Sequence, residues 1–172
     1  MKNLFFLLII AALTVSFNAC NKNNGTDLWR EANTNYYNDS IVKNSAYTEI
    51  QTETGPLGVY KKITNNGTGT EHPIQTSKVK VLYSGTYYDK TVFDVGSSQN
   101  NTPVEFSVSS TVRGFSYALQ QMVVGDKWTI CIPYYLGYGA SDYLDPNTYQ
   151  VLVKGYSMLI FDVELVSITQ YP

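Results

Sequence analysis

The sequence predicts an α+β domain in which several antiparallel strands form a sheet curved around one short helix. Three observations carry that reading. The late segment LIFDVELVSI alternates apolar with acidic residues at period two, and Val112, Phe115, Leu119 and Met122 recur at helical spacing. Between such runs lie clusters of Gly and Asn that break the chain into short strands. No internal repeat is visible.

The first 19 residues read as a lipoprotein signal peptide and stand apart from the fold. A short basic start, Met1-Lys2-Asn3, precedes an apolar run over residues 4–17, and Asn18-Ala19-Cys20 closes it. The run is shorter than the ~20 apolar residues that a spanning helix needs. A cysteine after a small residue at the end of such a run resembles a bacterial lipobox, which implies lipidation of Cys20 and anchoring to a membrane of the cell envelope. An ordinary cleaved signal with an incidental cysteine is the competing reading. Residues 20–57 are then a tether and an N-terminal helical segment, and residues 58–170 the folded domain.

Within the tether, NKNNGT is polar, and Asp27 offers an N-cap. Leu28, Trp29, Ala32 and Tyr36 mark an apolar stripe on a helix over residues 28–43, from Leu28 to Lys43, weakened by asparagines. That helix can pack on the domain, pair with a second copy as a dimer contact, or serve as a stalk.

The domain begins with a loosely alternating strand over residues 58–63 and a turn cluster, Asn65-Asn66-Gly67-Thr68-Gly69. Val79, Val81 and Tyr83 share one face of the next strand, with Lys80 and Leu82 on the other. After a polar loop, residues 103–108 form a strand, and residues 112–122 form the helix, with Gly125 at its C-cap. Lys127–Ile132 is a strand with Trp128, Ile130 and Ile132 on one face. In the last strand Leu159, Phe161, Val163 and Leu165 face one way, Asp162 and Glu164 the other.

Composition narrows the function. With 172 residues, 44% of them hydrophobic, the chain suits one domain with a real core. A net charge of -2 and the lack of any Lys/Arg cluster argue against nucleic acid as a partner. If Cys20 is lipidated, Cys131 is unpaired, and its strand context makes it a small buried hydrophobe. The single histidine, His72, sits in a loop-like stretch, so no thiol or hydroxyl nucleophile has an evident base. No cofactor and no metal is expected.

Five motifs in order carry a resemblance: Tyr83-Ser84-Gly85, Phe93-Asp94, Val112-Arg113-Gly114-Phe115, Tyr138-Gly139-Ala140, and the last strand from Leu159 to Leu165. Their order and spacing over about residues 58–168 resemble the FKBP-type peptidyl-prolyl isomerases, and the leader and tether look like those of FKBP lipoproteins of the Bacteroidetes type. The resemblance implies an FKBP-like fold and cis-trans isomerisation of X–Pro bonds in exported proteins. Proline-containing polypeptides become the expected partners, with the family's macrolide inhibitors as further ligands.

It further implies that Tyr83, Phe93, Asp94 and Tyr138 form the catalytic pocket, with Val104, Val112, Phe115, Leu152, Val153 and Phe161 completing its walls. Two substitutions stand out against the family. Val104 falls where an aromatic residue is frequent, and Phe115 where tryptophan or leucine is common. The segment ASDYLDPNTYQVLVKGYSM is longer than usual and has Lys154-Gly155 where a proline pair is frequent.

The chemistry fits this inventory. Rotation about an amide must break resonance, a barrier of ~18–20 kcal/mol, and no bond is made or cleaved. A dry aromatic pocket favours the less polar, twisted amide over the planar one. Tyr138 can donate its phenolic hydrogen to a substrate carbonyl. Asp94 can accept from Tyr83, or can polarise the substrate directly. Two other functions remain open on the sequence: a non-catalytic, chaperone-like peptide-binding module on the same fold, and a glycan-binding surface lipoprotein using the tyrosines at 134, 135, 143, 149 and 156.

Overall fold

Strand β9 (Leu159–Gln170), the segment with the strongest alternation, lies in the middle of the main sheet. In the computed structural model, residues 25–97 and 100–170 are described. The other strands of the sheet are β1 (Thr48–Thr52), β2 (Gly55–Asn65), β3 (Lys78–Thr86), β4 (Val92–Asp94), β5 (Val104–Ser107) and β6 (Lys127–Ile132). Their order is β1-β2-β6-β9-β3-β4, with β5 also paired to β3. Every pairing is antiparallel. The sheet thus reaches back past residue 58 through β2 and β1.

The period-two pattern decides which face is covered. Val79 and Val81 of β3, Trp128, Ile130 and Ile132 of β6, and Phe161, Val163 and Leu165 of β9 are all buried in one core. Asp162 lies on the opposite, exposed face. Helix α2 (Arg113–Leu119) packs on the core side through Phe115, Ala118 and Leu119. Gly114 permits that approach, since a Cβ there would stand 2.5 Å from Ile132 Cγ2.

Two features of this region differ from expectation. The helix ends at Leu119, and Gln120, not Gly125, occupies its C-cap. Gly125 sits in a later turn at φ +94, where its N–H donates to Leu165 O at 2.8 Å. Met122 is fully buried although it follows the helix, because turns over residues 119–122 direct it back into the core.

Beyond the expected strands, the stretch after Ala140 folds into a hairpin of β7 (Tyr143–Leu144) and β8 (Val151–Val153). Its turn is held by Asp145 Oδ1, which accepts the N–H groups of Asn147 and Thr148 at 2.8 Å each. Those donors hold the Asp145 carboxyl below its usual range. A turn of this kind follows from Asp in a DPN context, but strands of two and three residues carry no readable periodicity.

The N-terminal helix α1 (Gly25–Tyr36) continues into a wider, π-helical turn over Tyr37–Val42 and lies against the domain. Its burial corrects the stripe expected above. Leu28 is 54% exposed, whereas Asn33, an apparent weakness, is 3% exposed. Asp27 lies inside the first turn, not ahead of it, with its carboxylate 3.4 Å from Arg30. The reason is polar: Trp29 Nε1 donates to Ser157 Oγ at 3.0 Å, and Asn33 Oδ1 accepts the N–H of Met158 at 2.9 Å.

Through these contacts the N-terminal segment covers part of the outer face of the sheet, around Cys131 and Ile160. Ile41 joins Cys131, Met158 and Ile160 in a second cluster there. Burial pushes the Cys131 thiol up to about 12, which makes it inert as a nucleophile. Asn33→Ala is expected to destabilise the protein by about 1–3 kcal/mol, because it strands the Met158 N–H in a dry interface. Urea denaturation checks this, and Asn33→Asp, which keeps the acceptor, is expected to recover part of the loss.

Among the described residues, no helix is long and apolar enough to cross a membrane, and no group of three or more His, Cys, Asp and Glu could hold a metal ion. The segment expected to be a signal peptide, Cys20 and the start of the expected tether lie outside the described residues.

Candidate active site

Tyr83 points inward from β3 at the place where the sheet, the α2 helix and the turn after β6 converge. Beside it opens a cavity of about 220 Å³. Strand β9 contributes Phe161, helix α2 contributes Phe115, and Val112 stands at the helix's entry. Asp94, at the end of β4, and Tyr138, after a 3-10 turn over Tyr134–Leu136, supply the polar groups.

The rings meet mostly edge to face, the arrangement their quadrupoles favour. Phe115 and Phe161 stand 5.0 Å apart at 65°, Tyr83 and Phe106 5.4 Å apart at 62°. Gly85 is necessary to this packing: a Cβ there would meet Phe93 Cζ at 2.7 Å and Phe161 Cε1 at 3.0 Å. The absent side chain lets two aromatic rings lie over the strand.

Asp94 is held from both of its oxygens. Oδ2 accepts from the Tyr83 hydroxyl at 3.0 Å, and Oδ1 accepts from the Gly96 N–H at 2.9 Å. The Ser97 hydroxyl accepts the backbone N–H of Tyr83 at 2.6 Å, which ties the loop after β4 to β3. Burial, and then the neighbouring Asp94, pushes the Tyr83 hydroxyl well above the usual phenol range. Tyr138 is also raised, first by burial and then by Tyr143 and Asp94. A raised phenol stays protonated through neutral and mildly alkaline pH, so Tyr138 is a hydrogen-bond donor there.

The cavity brings together Tyr83, Asp94, Tyr138, Val112, Phe115 and Phe161, as the sequence suggests. It does not include Phe93, Val104, Leu152 or Val153. Phe93 stands behind the wall, 5.5 Å from Phe161 and 5.0 Å from Tyr87, so it supports the lining without forming it. Val104 opposes Val81 in the β3–β5 pairing, and its short side chain leaves the cavity to Phe106. In the hairpin, Val153 turns into the core at 4% exposure, and Leu152 turns out at 45%. Neither becomes the aliphatic wall.

Phe106, Ser110, Thr111 and Tyr143 also line the cavity, beyond the residues that the sequence motifs indicate. For Phe106 a signal exists: strand alternation puts it on the face of Val104, and its longer side chain reaches Tyr83. Tyr143 has no such signal. It arrives through the hairpin and lies 4.7 Å from Tyr138 at 32°, a tilted stack at the mouth.

Chemically, the site offers apolar walls, a phenol donor and one anchored carboxylate. His72 does not line it; that ring contacts Met122 O at 3.1 Å. Cys131 faces the other side of the sheet. A cavity with this lining is suited to hold and orient a largely uncharged group, and its Ser110 and Thr111 hydroxyls donate to the backbone oxygens of Ser107 and Val108 and not to a base.

A family model described as FKBP-type peptidyl-prolyl cis-trans isomerase matches residues 69–166. The chain is 37% identical over 111 residues to an FKBP-type peptidyl-prolyl cis-trans isomerase of Escherichia coli, covering 64% of this chain and 50% of that protein. It is 34% identical over 113 residues to the outer membrane protein MIP of Legionella longbeachae, covering 66% of this chain and 45% of that one. The chain therefore spans about half the length of the curated relatives it matches. Among solved structures, it is similar to a peptidyl-prolyl cis-trans isomerase of Pseudomonas syringae pv. tomato, with a TM-score of 0.69 and 26% identity. That match covers 86% of this chain and 98% of that one.

Proposed function

The chain belongs to the FKBP-type peptidyl-prolyl cis-trans isomerase family, and on that premise we propose that its cavity isomerises X–Pro bonds of polypeptides by sheltering the twisted amide. The observation that supports this most directly is the aromatic cavity, in which the phenols of Tyr83, Tyr138 and Tyr143 and the carboxylate of Asp94 stand among Phe106, Phe115 and Phe161.

An X–Pro amide prefers trans by only ~0.5–1 kcal/mol, yet it exchanges over tens to hundreds of seconds. Catalysis therefore has to lower a rotational barrier. As the C–N bond twists, resonance fades and the carbonyl loses polarity, so transfer out of water costs the twisted form less than the planar one. Phe115, Phe161 and Phe106 supply that apolar surface, with the prolyl ring seated among them. Tyr138 donates to a substrate carbonyl and fixes the register of the peptide. Asp94, oriented by Tyr83 and the Gly96 N–H, places its charge at the cavity wall. The macrolide ligands of the family would take the same cavity.

The test is a coupled isomerisation assay on a short X–Pro peptide. The parent protein is expected to accelerate exchange in proportion to its concentration. Tyr138→Phe is expected to lower kcat/KM roughly fivefold, the size of one net hydrogen bond of ~1 kcal/mol. An inactive parent protein would overturn the enzymatic reading.

For location, we propose lipidation at Cys20 and residence in the bacterial cell envelope. The apolar run ending in Ala19-Cys20 supports it, as does the likeness to a relative named as an outer membrane protein. Cys20→Ala is expected to leave the protein soluble and without incorporated radiolabelled palmitate. A membrane-bound, acylated variant would refute the assignment.

A further inference from the structure

A second cavity, of about 200 Å³, lies between the N-terminal segment and the turn that follows β6. The rings of Tyr37, Tyr134, Tyr135 and Tyr156 wall it, with Pro133 and Met158. We propose that this cavity is a second docking site for the polypeptide substrate, taking one apolar side chain a few residues away from the proline in the catalytic cavity. The proposal rests on the isomerase reading above.

The lining points to a side chain and not to a charged or strongly polar ligand. Three of the polar side chains in its walls are already used within the protein. Tyr37 donates its hydroxyl to Gly58 O at 2.7 Å, and the Asn33 amide is engaged by Met158 N–H and Trp29 O. The Thr34 hydroxyl donates to Arg30 O at 2.8 Å. Apart from Asn38, the rest of the wall is tyrosine ring surface, a proline and an adaptable thioether, a combination that accepts apolar groups of varied shape. Tyr134 stands at 86° to Tyr135 and at 57° to Tyr156, so the rings form a slot. A sugar face stacks on a flat platform, which this is not.

The cavity is built in advance of any ligand. The hydrogen bonds from Trp29 to Ser157 and from Asn33 to Met158 clamp α1 in place, so docking does not have to order a helix.

Its position beside the catalytic cavity identifies the occupant. Tyr134 and Tyr135 line the second cavity, and Tyr138, three residues beyond Tyr135, lines the first. The connection is a tight turn, since Tyr134 O accepts the N–H groups of Gly137 at 3.1 Å and Gly139 at 2.9 Å. Tyr156, on the second cavity, donates its backbone N–H to Gly139 O at 2.9 Å. The Cα atoms of Tyr135 and Tyr138 can lie no more than about 11 Å apart, a gap that three or four extended residues span. A chain whose proline occupies the first cavity must run over neighbouring surface, and the turn that carries Tyr134, Tyr135 and Tyr138 joins that cavity to this slot. A second contact on the same chain raises the effective concentration of the proline at the first.

The experiment compares two substrates and two variants of the full protein. Tyr135→Ala removes a wall from a residue that is 56% exposed, and Thr34→Trp fills the slot from the exposed side of α1. On a tetrapeptide containing one X–Pro bond, both variants are expected to keep the parent's kcat/KM. On an unfolded protein whose refolding is limited by prolyl isomerisation, both are expected to lose about tenfold, through KM. Binding of a permanently unfolded, reduced and carboxymethylated protein is expected to weaken by a similar factor.

Equal activity of parent and variants on the long substrate, or equal losses on both substrates, would overturn the second site. So would retention of the parent on a polysaccharide column that Tyr135→Ala abolishes, since the slot would then serve sugars. A parent inactive on the tetrapeptide sinks the isomerase reading instead, and the binding measurement still decides the docking site.

Discussion

Phe161→Ala is expected to cost about 3–5 kcal/mol of stability and to abolish measurable isomerase activity in the fraction that remains folded. Phe161 is 5% exposed in β9, opposite Gly85 on one neighbouring strand and Ile130 on the other. Its ring touches Phe115, Phe93 and Tyr83, with centroids 5.0, 5.5 and 6.3 Å away. Truncation leaves a void that cannot collapse, because sheet hydrogen bonds hold its floor. That void adjoins the proposed catalytic cavity, so water enters where an aromatic wall stood. Phe161→Leu is the control: a volume closer to the original should hold the stability loss to about 1.5 kcal/mol. Urea melts of the three proteins decide the matter, and an unchanged midpoint for Phe161→Ala would show that the ring is not part of the core.

Asp94→Ala is expected to lower kcat/KM by roughly 30-fold, about 2 kcal/mol, and to exceed the effect of Tyr83→Phe. Both side chains line the cavity and share one hydrogen bond of 3.0 Å. If Asp94 served only to hold Tyr83, removing either partner would cost the same. The carboxylate, however, is also fixed by the Gly96 N–H at 2.9 Å, so it keeps its orientation when the Tyr83 hydroxyl is lost. A preorganised charge at the wall of the cavity is the larger effect. The double variant completes a thermodynamic cycle, and equal losses in the two single variants would assign Asp94 a purely positioning role.

Much of the site is legible in the sequence because its residues come from elements with strong periodicity or tight turns. Tyr83 and Phe161 lie on alternating strands, and Phe115 lies on the inward face of a helix. Asp94 and Tyr138 sit in short motifs whose order matches the family. The sequence places Phe93 in the lining because strand alternation says which face a ring takes, not which layer it joins. The tertiary packing put Phe161 between it and the cavity. Leu152 and Val153 were misplaced for a related reason: the hairpin's register, with Tyr143 opposite Val153, is set by contacts that no local pattern records.

The N-terminal helix shows the same limit more sharply. An apolar stripe through Leu28 was the natural reading, yet the buried position belongs to Asn33. A polar residue in an apparent gap became the anchor because Met158, 125 residues later, presents an unpaired N–H to it.

By itself, then, the sequence determined the alternation of β3, β6 and β9, the short body helix, and the cavity positions of Tyr83, Asp94, Val112, Phe115, Tyr138 and Phe161. Those are local properties, written in the spacing of apolar side chains and in turn chemistry. Only the tertiary structure decided that Phe106 and Tyr143 complete the cavity, that Phe93 stands behind it, and that the N-terminal helix closes a second aromatic slot beside it. Each of these depends on which distant residues meet, and such meetings are set by packing and by the pairing of buried polar groups across the whole chain.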